Sequence, residues 1–200
     1  IPKETHPKEK RVPVVPGTVE KLVKKGAQIL VEAGMGLSSG FTDADYEKVG
    51  AKISGDRKEV LGSGDMVLRL RKPDIEDIAL LKKGCIHVSY MDHFNEQKLV
   101  LEFAKCGISA ICIELVPRTT RAQKMDALSS QANLAGYAAV IVAAERLNKI
   151  FPMMMTPSGT ITPARVFIIG VGVAGLQAIA TAKRLGARVD AAGGLLLLEE

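Results

Sequence analysis

The stretch "VFIIGVGVAGLQAIATAKRLGARV", residues 166–189, places an apolar run, a glycine-rich turn and a helix-forming segment in succession. Within it, Gly170, Gly172 and Gly175 fit the pattern G-x-G-x-x-G. In that pattern the first glycine permits a tight turn, the second lets the backbone approach a pyrophosphate, and the third lets the helix pack on the strand. The stretch predicts a dinucleotide site in a parallel α/β fold. The alternative is a glycine-rich contact between a helix and a strand in an apolar core.

The acidic residue that holds the adenosine ribose is expected about 20 residues after the first glycine, at the end of the second strand. The count reaches Asp190, whereas a strand that starts at Ala187 ends nearer Gly193. The sequence after Val189, "DAAGGLLLLEE", is atypical of such a strand end. We therefore expect it to be a truncated or wrongly joined segment and not an altered site.

Upstream of the glycine pattern, helix and strand patterns alternate along the chain. Short amphipathic helices are predicted at 18–26, 42–51, 76–84 and 95–107, and strands at 28–33, 66–71, 85–90 and 108–115. Thr42 is the predicted N-cap of the second helix, with acidic residues in the first turn that follows. Strands separated by helices of this length predict a parallel sheet with right-handed crossovers.

The second half of the chain begins with a long helical pattern. Residues 126–151 are rich in small and apolar residues and predict a buried helix, and residues 152–164, with three prolines, predict a loop. We predict an α/β protein with two Rossmann-like parallel-sheet domains joined by this helix. The first is residues 1–125; residues 126–200 comprise the joining helix and the beginning of a truncated second domain.

The composition limits the classes of partner. The 27 Lys and Arg residues exceed the 22 Asp and Glu residues by five, but they are scattered, and the chain has no Trp, so we expect no nucleic-acid partner. Cys85, Cys106 and Cys112 lie in apolar surroundings without metal-like spacing, so we expect reduced thiols that pack in the core and no metal site. The apolar stretch 166–180 is shorter than the roughly 20 residues of a membrane span, so the chain is expected to be soluble; a membrane-bound parent stays open.

A second stretch, "ELVPRTTRAQKMDALSSQANLAGY" (residues 114–137), concentrates polar side chains between a predicted strand and the long helix. The carboxyl ends of strands are where open α/β sheets bind ligands, so the polar residues of this stretch are candidate site residues: Arg118, Arg121, Gln123, Asp126, Ser129, Ser130, Gln131 and Asn133. The alternative is a solvated loop in which Asp126 caps the long helix.

Residues 117–137 and 151–189 closely resemble the NAD(H)-binding component of proton-translocating nicotinamide nucleotide transhydrogenases, and residues 2–51 resemble the N-terminal domain that these enzymes share with alanine dehydrogenases. The resemblance implies that Arg118, Gln123 and Asp126 lie beside the nicotinamide ring as the catalytic group.

The same resemblance implies the remaining contacts. Ser129 would contact the carboxamide and Tyr137 would lie close to the site. The pyrophosphate turn would be formed by Gly170, Gly172, Val173, Ala174 and Gly175. NADP(H) would be bound by a partner component, Gln123 would reach that component, and a membrane domain would translocate protons. The chain would be a homodimer on the soluble face of a membrane complex, either cytoplasmic in bacteria or on the matrix side in mitochondria.

Two other functions remain open. Alanine dehydrogenases carry a Lys at one strand end and a His in a loop after the following strand. This chain has Arg69 and Arg71 at the Lys site and Tyr90 at the His site. His87 and His93 are nearby, but we expect His87 to be a strand side chain and His93 a loop residue, and neither to be catalytic. Hydride transfer between two nicotinamide rings needs no general base for a substrate proton, only close positioning, which favours a transhydrogenase. The third candidate is an NAD-binding module without chemistry.

Overall fold

A computed structural model describes residues 1–193 of the chain. These residues form two units, Ile1–Pro117 and a second that starts at Arg118. The loop 118–125 therefore belongs with the second unit, whereas the predicted domain boundary lies at its far end, between 125 and 126. Residues 194–200, most of the atypical tail, lie outside the described residues.

The first unit is built on short parallel strands, as the alternating pattern predicts. β1 pairs with β2, and β3, β4 and β5 form a sheet in that order, all parallel. The strands are β1 (Leu30–Glu32), β2 (Lys52–Ser54), β3 (Met66–Leu68), β4 (Ile86–Ser89) and β5 (Ser109–Cys112). β2 adds to the predicted set; its sequence Lys-Ile-Ser contains a single apolar residue and therefore gives no recognisable strand pattern.

Helices connect these strands and cover their apolar faces. They are α1 (Pro16–Val23), α2 (Asp43–Glu47), α3 (Arg57–Ser63), α4 (Ile75–Ala79) and α5 (Gln97–Lys105), with 3₁₀ turns at Leu37–Ser39 and Ile113–Leu115. α2 begins with a capping box, because Thr42 Oγ1 accepts from the Asp45 amide at 3.3 Å and Asp45 accepts from the Thr42 amide at 2.9 Å. The predicted N-cap at Thr42 is confirmed.

Two apolar clusters form the core of the first unit. One comprises Ile1, Val14, Val19, Val31, Met35, Tyr46 and Ala51. The other comprises Leu61, Val67, Ile78, Leu81, Cys85, Met91, Leu99, Phe103 and Ile108. Cys106 and Cys112 pack against the second cluster half-buried, and all three cysteines are free thiols, as expected.

A buried ion-pair network connects β3 to the helices beside it. Arg69 is 2% exposed and donates to Asp77 at 2.6 Å. Arg57 donates to the same carboxylate at 2.7 Å and to Glu32 at 2.7 Å. Burial raises the pKa of Asp77, but the hydrogen bond from Arg57 and the charges of both guanidinium groups outweigh it and hold that pKa below its ordinary value.

The second unit starts with a 3₁₀ turn, Gln123–Met125, and continues through a helix, a hairpin and a βαβ unit. Its elements are α6 (Ala127–Arg146), β6 (Met154–Thr156), β7 (Gly159–Ile161), β8 (Arg165–Ile169), α7 (Val173–Arg184) and β9 (Arg188–Ala192). β8 and β9 are parallel, as the glycine pattern predicts. The apolar core of the second unit consists of Val140, Phe151, Ala164, Ala178 and Ala182.

The prediction of a loop over 152–164 is wrong, because β6 and β7 form an antiparallel hairpin there. The prolines at 152, 157 and 163 flank the paired residues and interrupt neither strand, so they are compatible with the hairpin.

The prediction of a buried helix over 126–151 is also wrong. α6 ends at Arg146, and among its residues, all of them described, Gly136 and Val140 are the only buried ones. One face of small residues packs on α7, while other apolar side chains, including Leu134, are exposed. By length and composition α6 could also cross a membrane. This is weak evidence for a membrane span, because core helices of soluble proteins satisfy the same criterion.

Candidate nucleotide-binding site

The three glycines of the β8–α7 turn have distinct geometries. Gly170 has φ +96°, a left-handed conformation that side chains rarely adopt. A Cβ on Gly175 would lie 1.8 Å from the Gly170 carbonyl oxygen, so only glycine permits this helix–strand approach. A Cβ on Gly172 would meet nothing within 4 Å, so open space adjoins the backbone at the middle glycine.

The N-terminus of α7 follows directly from this turn. Gly172 is the N-cap residue, and within the described residues no side chain caps the helix and no acidic residue occupies its first turn. The first amides of a helix carry partial positive charge and lack intrahelical acceptors, so they attract an anion. Lys183 and Arg184 occupy the last turn, where they complement the opposite end of the helix dipole.

A cavity of about 450 Å³ lies beside this helix N-terminus, entirely within the second unit. The glycine turn and the start of α6 line it: Arg118, Leu128, Ser129, Ala132, Ile169, Gly170, Gly172, Val173, Ala174 and Gly175. Its volume is in the range of small-molecule sites. The open space at Gly172 and the uncapped α7 amides fit a pyrophosphate, and Arg118 adds a positive charge at the rim.

Ser129 is fixed in the cavity wall by Asp126. The Asp126 carboxylate is the N-cap of α6, accepting from the Ser129 amide at 2.9 Å and from the Ser129 hydroxyl at 2.6 Å. These two hydrogen bonds lower the pKa of Asp126, and the positive charge of Arg118 adds to the effect. Asp126 therefore stays ionised, and the hydroxyl oxygen of Ser129 keeps its lone pairs available as an acceptor.

The position for a ribose contact differs from the usual pattern. Asp190 lies inside β9 opposite Phe167, and Arg165 donates to its carboxylate at 2.5 Å. The residue that follows β9 is Gly193, where a Cβ would lie 2.3 Å from a methyl group of Val171. Up to residue 193, the site therefore has no acidic residue directly after the second strand.

Comparison with known families decides the classification. Models for alanine dehydrogenase/PNT match the chain, the N-terminal domain over residues 1–135 and the C-terminal domain over residues 139–193. The chain belongs to the alanine dehydrogenase/PNT family.

Individual members of this family agree with that result. An NAD(P) transhydrogenase subunit alpha component of Rhodospirillum rubrum is 45% identical over 96% of this chain and 51% of its own length. Alanine dehydrogenase of Bacillus subtilis is 32% identical over 94% of this chain and 50% of its own length. The crystal structure of transhydrogenase from Sinorhizobium meliloti has a TM-score of 0.94 and 44% identity, covering 98% of this chain and 56% of that one. The chain thus spans about half the length of these relatives.

The structure brings together most of the residues that the family resemblance implicates. Arg118 and Ser129 line the cavity with the glycine turn, including Val173 and Ala174. Asp126 does not line the cavity itself but accepts a hydrogen bond from the Ser129 hydroxyl. The predicted capping of α6 by Asp126 is confirmed, and the same contact positions Ser129. A role of these residues at a nucleotide stays a prediction.

Two predicted residues lie outside the cavity wall. Gln123 is exposed on the 3₁₀ turn before α6. Tyr137 is 52% exposed and lies two turns along α6 from Ser129, about 12 Å at the usual rise per residue. Their proximity to a bound ring stays a prediction.

Sequence reasoning missed three apolar residues of the cavity, Leu128, Ala132 and Ile169. Leu128 and Ala132 are four residues apart and Ser129 and Ala132 three apart, so all share one face of α6. Once Ser129 is assigned to the cavity, that spacing predicts that Leu128 and Ala132 line it as well. Ile169 ends β8 immediately before the turn.

Proposed function

We propose that this chain binds NAD(H) and is the NAD(H)-binding part of a transhydrogenase that exchanges hydride with NADP(H) held by a partner component. The observation that carries the proposal is the cavity at the carboxyl end of β8, which is lined by the uncapped α7 N-terminus, Arg118 and Ser129. Family membership supports nicotinamide-nucleotide binding, because relatives named transhydrogenase and alanine dehydrogenase share this unit.

In this proposal the residues of the chain position the nicotinamide ring, and none of them transfers a proton. The nicotinamide supplies the hydride from its C4 atom, so the protein must hold the ring still and exclude water. The α7 amides and Arg118 would hold the pyrophosphate, and Ser129, fixed by Asp126, would hold a polar group such as the carboxamide. Gln123, on its exposed turn, is accessible to a docked partner.

An alanine dehydrogenase activity is less well supported by the first unit. Arg69, near the position where those enzymes carry a Lys, is buried and paired with Asp77. Arg71 donates to Glu9 at 2.8 Å. His87 is buried on β4 and confirmed as a strand side chain, and His93 lies in the loop that follows. The guanidinium groups of Arg69 and Arg71 are thus both paired with carboxylates of the same unit.

The proposal extends to the assembly. We propose that the partner carries NADP(H), that a membrane domain of the same enzyme couples hydride transfer to proton translocation, and that the chain acts as a homodimer on the soluble face of that complex. Support for these points is the family relationship with transhydrogenase alpha subunits.

The test is an activity comparison on the purified chain. Titration with NADH, followed by fluorescence, measures binding, and addition of an NADP(H)-binding transhydrogenase component measures hydride exchange between the two nucleotides. A parallel assay supplies NAD⁺ and L-alanine. We expect NADH binding and hydride exchange; deamination of alanine without exchange would replace this function by the dehydrogenase, and binding alone would indicate the non-catalytic module.

The role of Gln123 is tested in the same assay. Gln123→Ala should reduce hydride exchange at saturating NADH at least tenfold while NADH binding changes less. The matched control is Gln97→Ala, which removes another exposed glutamine, at the start of α5. Unchanged exchange in Gln123→Ala would remove Gln123 from the proposal.

A further inference from the structure

A cluster of three metal-ligating side chains lies in the first unit. His93 Nδ1 is 3.5 Å from Cys112 Sγ, and both lie within 4.8 Å of a carboxylate oxygen of Glu114. All three residues are half-buried. We propose that His93, Cys112 and Glu114 form a binding site for a divalent transition-metal ion of the Zn²⁺ class, with a fourth position left for water.

The sheet topology brings the three residues together. β4 and β5 are parallel neighbours, with Ser89 paired to Cys112 at the end of both strands. His93 follows β4, and Glu114 follows β5 in a 3₁₀ turn. The ligands therefore meet at the carboxyl edge of the sheet, where open α/β sheets bind ligands.

The backbone between the strands is shaped to present His93. Asp92 has φ +52°, the one positive value for a non-glycine residue within residues 1–193. The amides of Met91 and Asp92 donate to Glu114 Oε1 at 2.9 and 2.5 Å. Glu114 thus fixes the turn that carries His93, and backbone strain of this kind persists where surrounding contacts enforce it.

The second oxygen of Glu114 points to a cation. Oε2 is buried and has no hydrogen-bond partner of ordinary geometry in the described part of the chain. The Cys112 thiol interacts with the Glu114 carboxylate, and burial together with this interaction raises the pKa of Cys112 to about 11, so a cation must displace the thiol proton. A buried carboxylate oxygen without a partner is costly, and a cation beside His93 and Cys112 would satisfy it.

The donor set selects the class of ion. Thiolate and imidazole favour Zn²⁺ and related transition metals, whereas Mg²⁺ and Ca²⁺ prefer oxygen ligands only. Zn–S and Zn–N lengths of about 2.3 and 2.0 Å place tetrahedral ligands roughly 3.3–3.8 Å apart. The 3.5 Å between Nδ1 and Sγ meets that requirement. On binding, the ion loses water, and the Cys112 thiol proton leaves to solvent.

Co²⁺ is the spectroscopic probe for this site. Added to the metal-free purified chain, Co²⁺ should produce a thiolate-to-cobalt charge-transfer band that saturates at one ion per chain. Cys112→Ser should abolish the band, and Cys106→Ser, which replaces the other half-buried cysteine, should keep it. Absence of the band, its survival in Cys112→Ser, or its loss in a folded Cys106→Ser variant would overturn the proposal.

Zn²⁺ affinity tests the other two ligands. Calorimetric titration should show one Zn²⁺ per chain, weakened at least tenfold in His93→Gln and in Glu114→Gln but not in the exposed control His6→Gln. A measurement without mutation accompanies it: Zn²⁺ should protect Cys112, but not Cys106, from alkylation, with the sites identified by mass spectrometry. Equal alkylation of Cys112 with and without Zn²⁺ would overturn the proposal even if the variants misfold.

Discussion

Gly136 of α6 lies directly against the backbone of Ala174 in α7. A Cβ on Gly136 would fall 2.1 Å from the Ala174 carbonyl oxygen, closer than any real contact. Ala174 also belongs to the glycine turn that lines the cavity. The close approach of the two helices therefore holds the polar start of α6 and the glycine turn on either side of one cavity.

The first prediction concerns this helix contact. Gly136→Ala should lower the free energy of unfolding by about 1–3 kcal/mol, because the backbones must separate to admit the methyl group. It should also weaken NADH binding. Chemical denaturation and NADH titration measure the two effects. The control is Gly17→Ala in α1, where a Cβ meets no atom within 4 Å; a helical Gly→Ala change without clashes is neutral or stabilising by up to about 1 kcal/mol. Equal effects of the two substitutions would contradict this account.

A second prediction separates the two roles of glycine in the β8–α7 turn. Gly172→Ala should fold normally but raise the Kd for NADH at least tenfold, since its Cβ occupies open space where the backbone would approach the pyrophosphate. Gly175→Ala should destabilise the fold by about 1–3 kcal/mol, because its Cβ collides with the Gly170 carbonyl. Thermal unfolding and NADH titration of both variants distinguish these outcomes, and a stable Gly172→Ala protein with unchanged affinity would argue against the phosphate site.

The buried ion-pair network gives a third prediction. Asp77→Asn removes the carboxylate that Arg69 and Arg57 share and leaves the Arg69 guanidinium buried without its counter-charge. The expected loss of unfolding free energy is about 3–5 kcal/mol, the usual cost of breaking a buried pair from one side. Urea denaturation measures it. Asp65→Asn removes an exposed partner of Lys82 and should change little; similar losses in both variants would show that burial does not set the cost.

His87 supplies a fourth prediction, on pH. Burial, followed by the positive charge of Arg69, lowers the pKa of His87 from 6.5 to about 4, although Asp77 opposes the shift. Between these values the unfolded chain binds a proton that the folded chain does not, so stability should fall as the pH drops from 6.5 to about 4. Unfolding free energies measured across this range should decline less steeply in His87→Leu. A slope that the substitution leaves unchanged would contradict the assignment to His87.

Much of the fold could be predicted because its signals are local. The β8–α7–β9 unit follows from apolar periodicity and glycine spacing, and the α2 boundary follows from Thr42 and the acids after it. The hairpin at 154–161 was missed because a proline-rich stretch of short strands lacks a clear alternating pattern. The burial of α6 was overestimated because composition shows that a helix is apolar but not how many of its faces another element covers.

The candidate site divides in the same way. The sequence determined the glycine turn and the parallel α/β class, because each depends on residues close together in the chain. Through resemblance to a family it also identified Arg118, Ser129 and Asp126 as candidate site residues. Only the tertiary structure decided that Asp126 acts on Ser129 through the α6 cap and that His93 meets Cys112 and Glu114 across neighbouring strands. Those contacts depend on helix capping geometry and on which strands pair, and long-range pairing is fixed by packing of the whole unit and not by any local pattern.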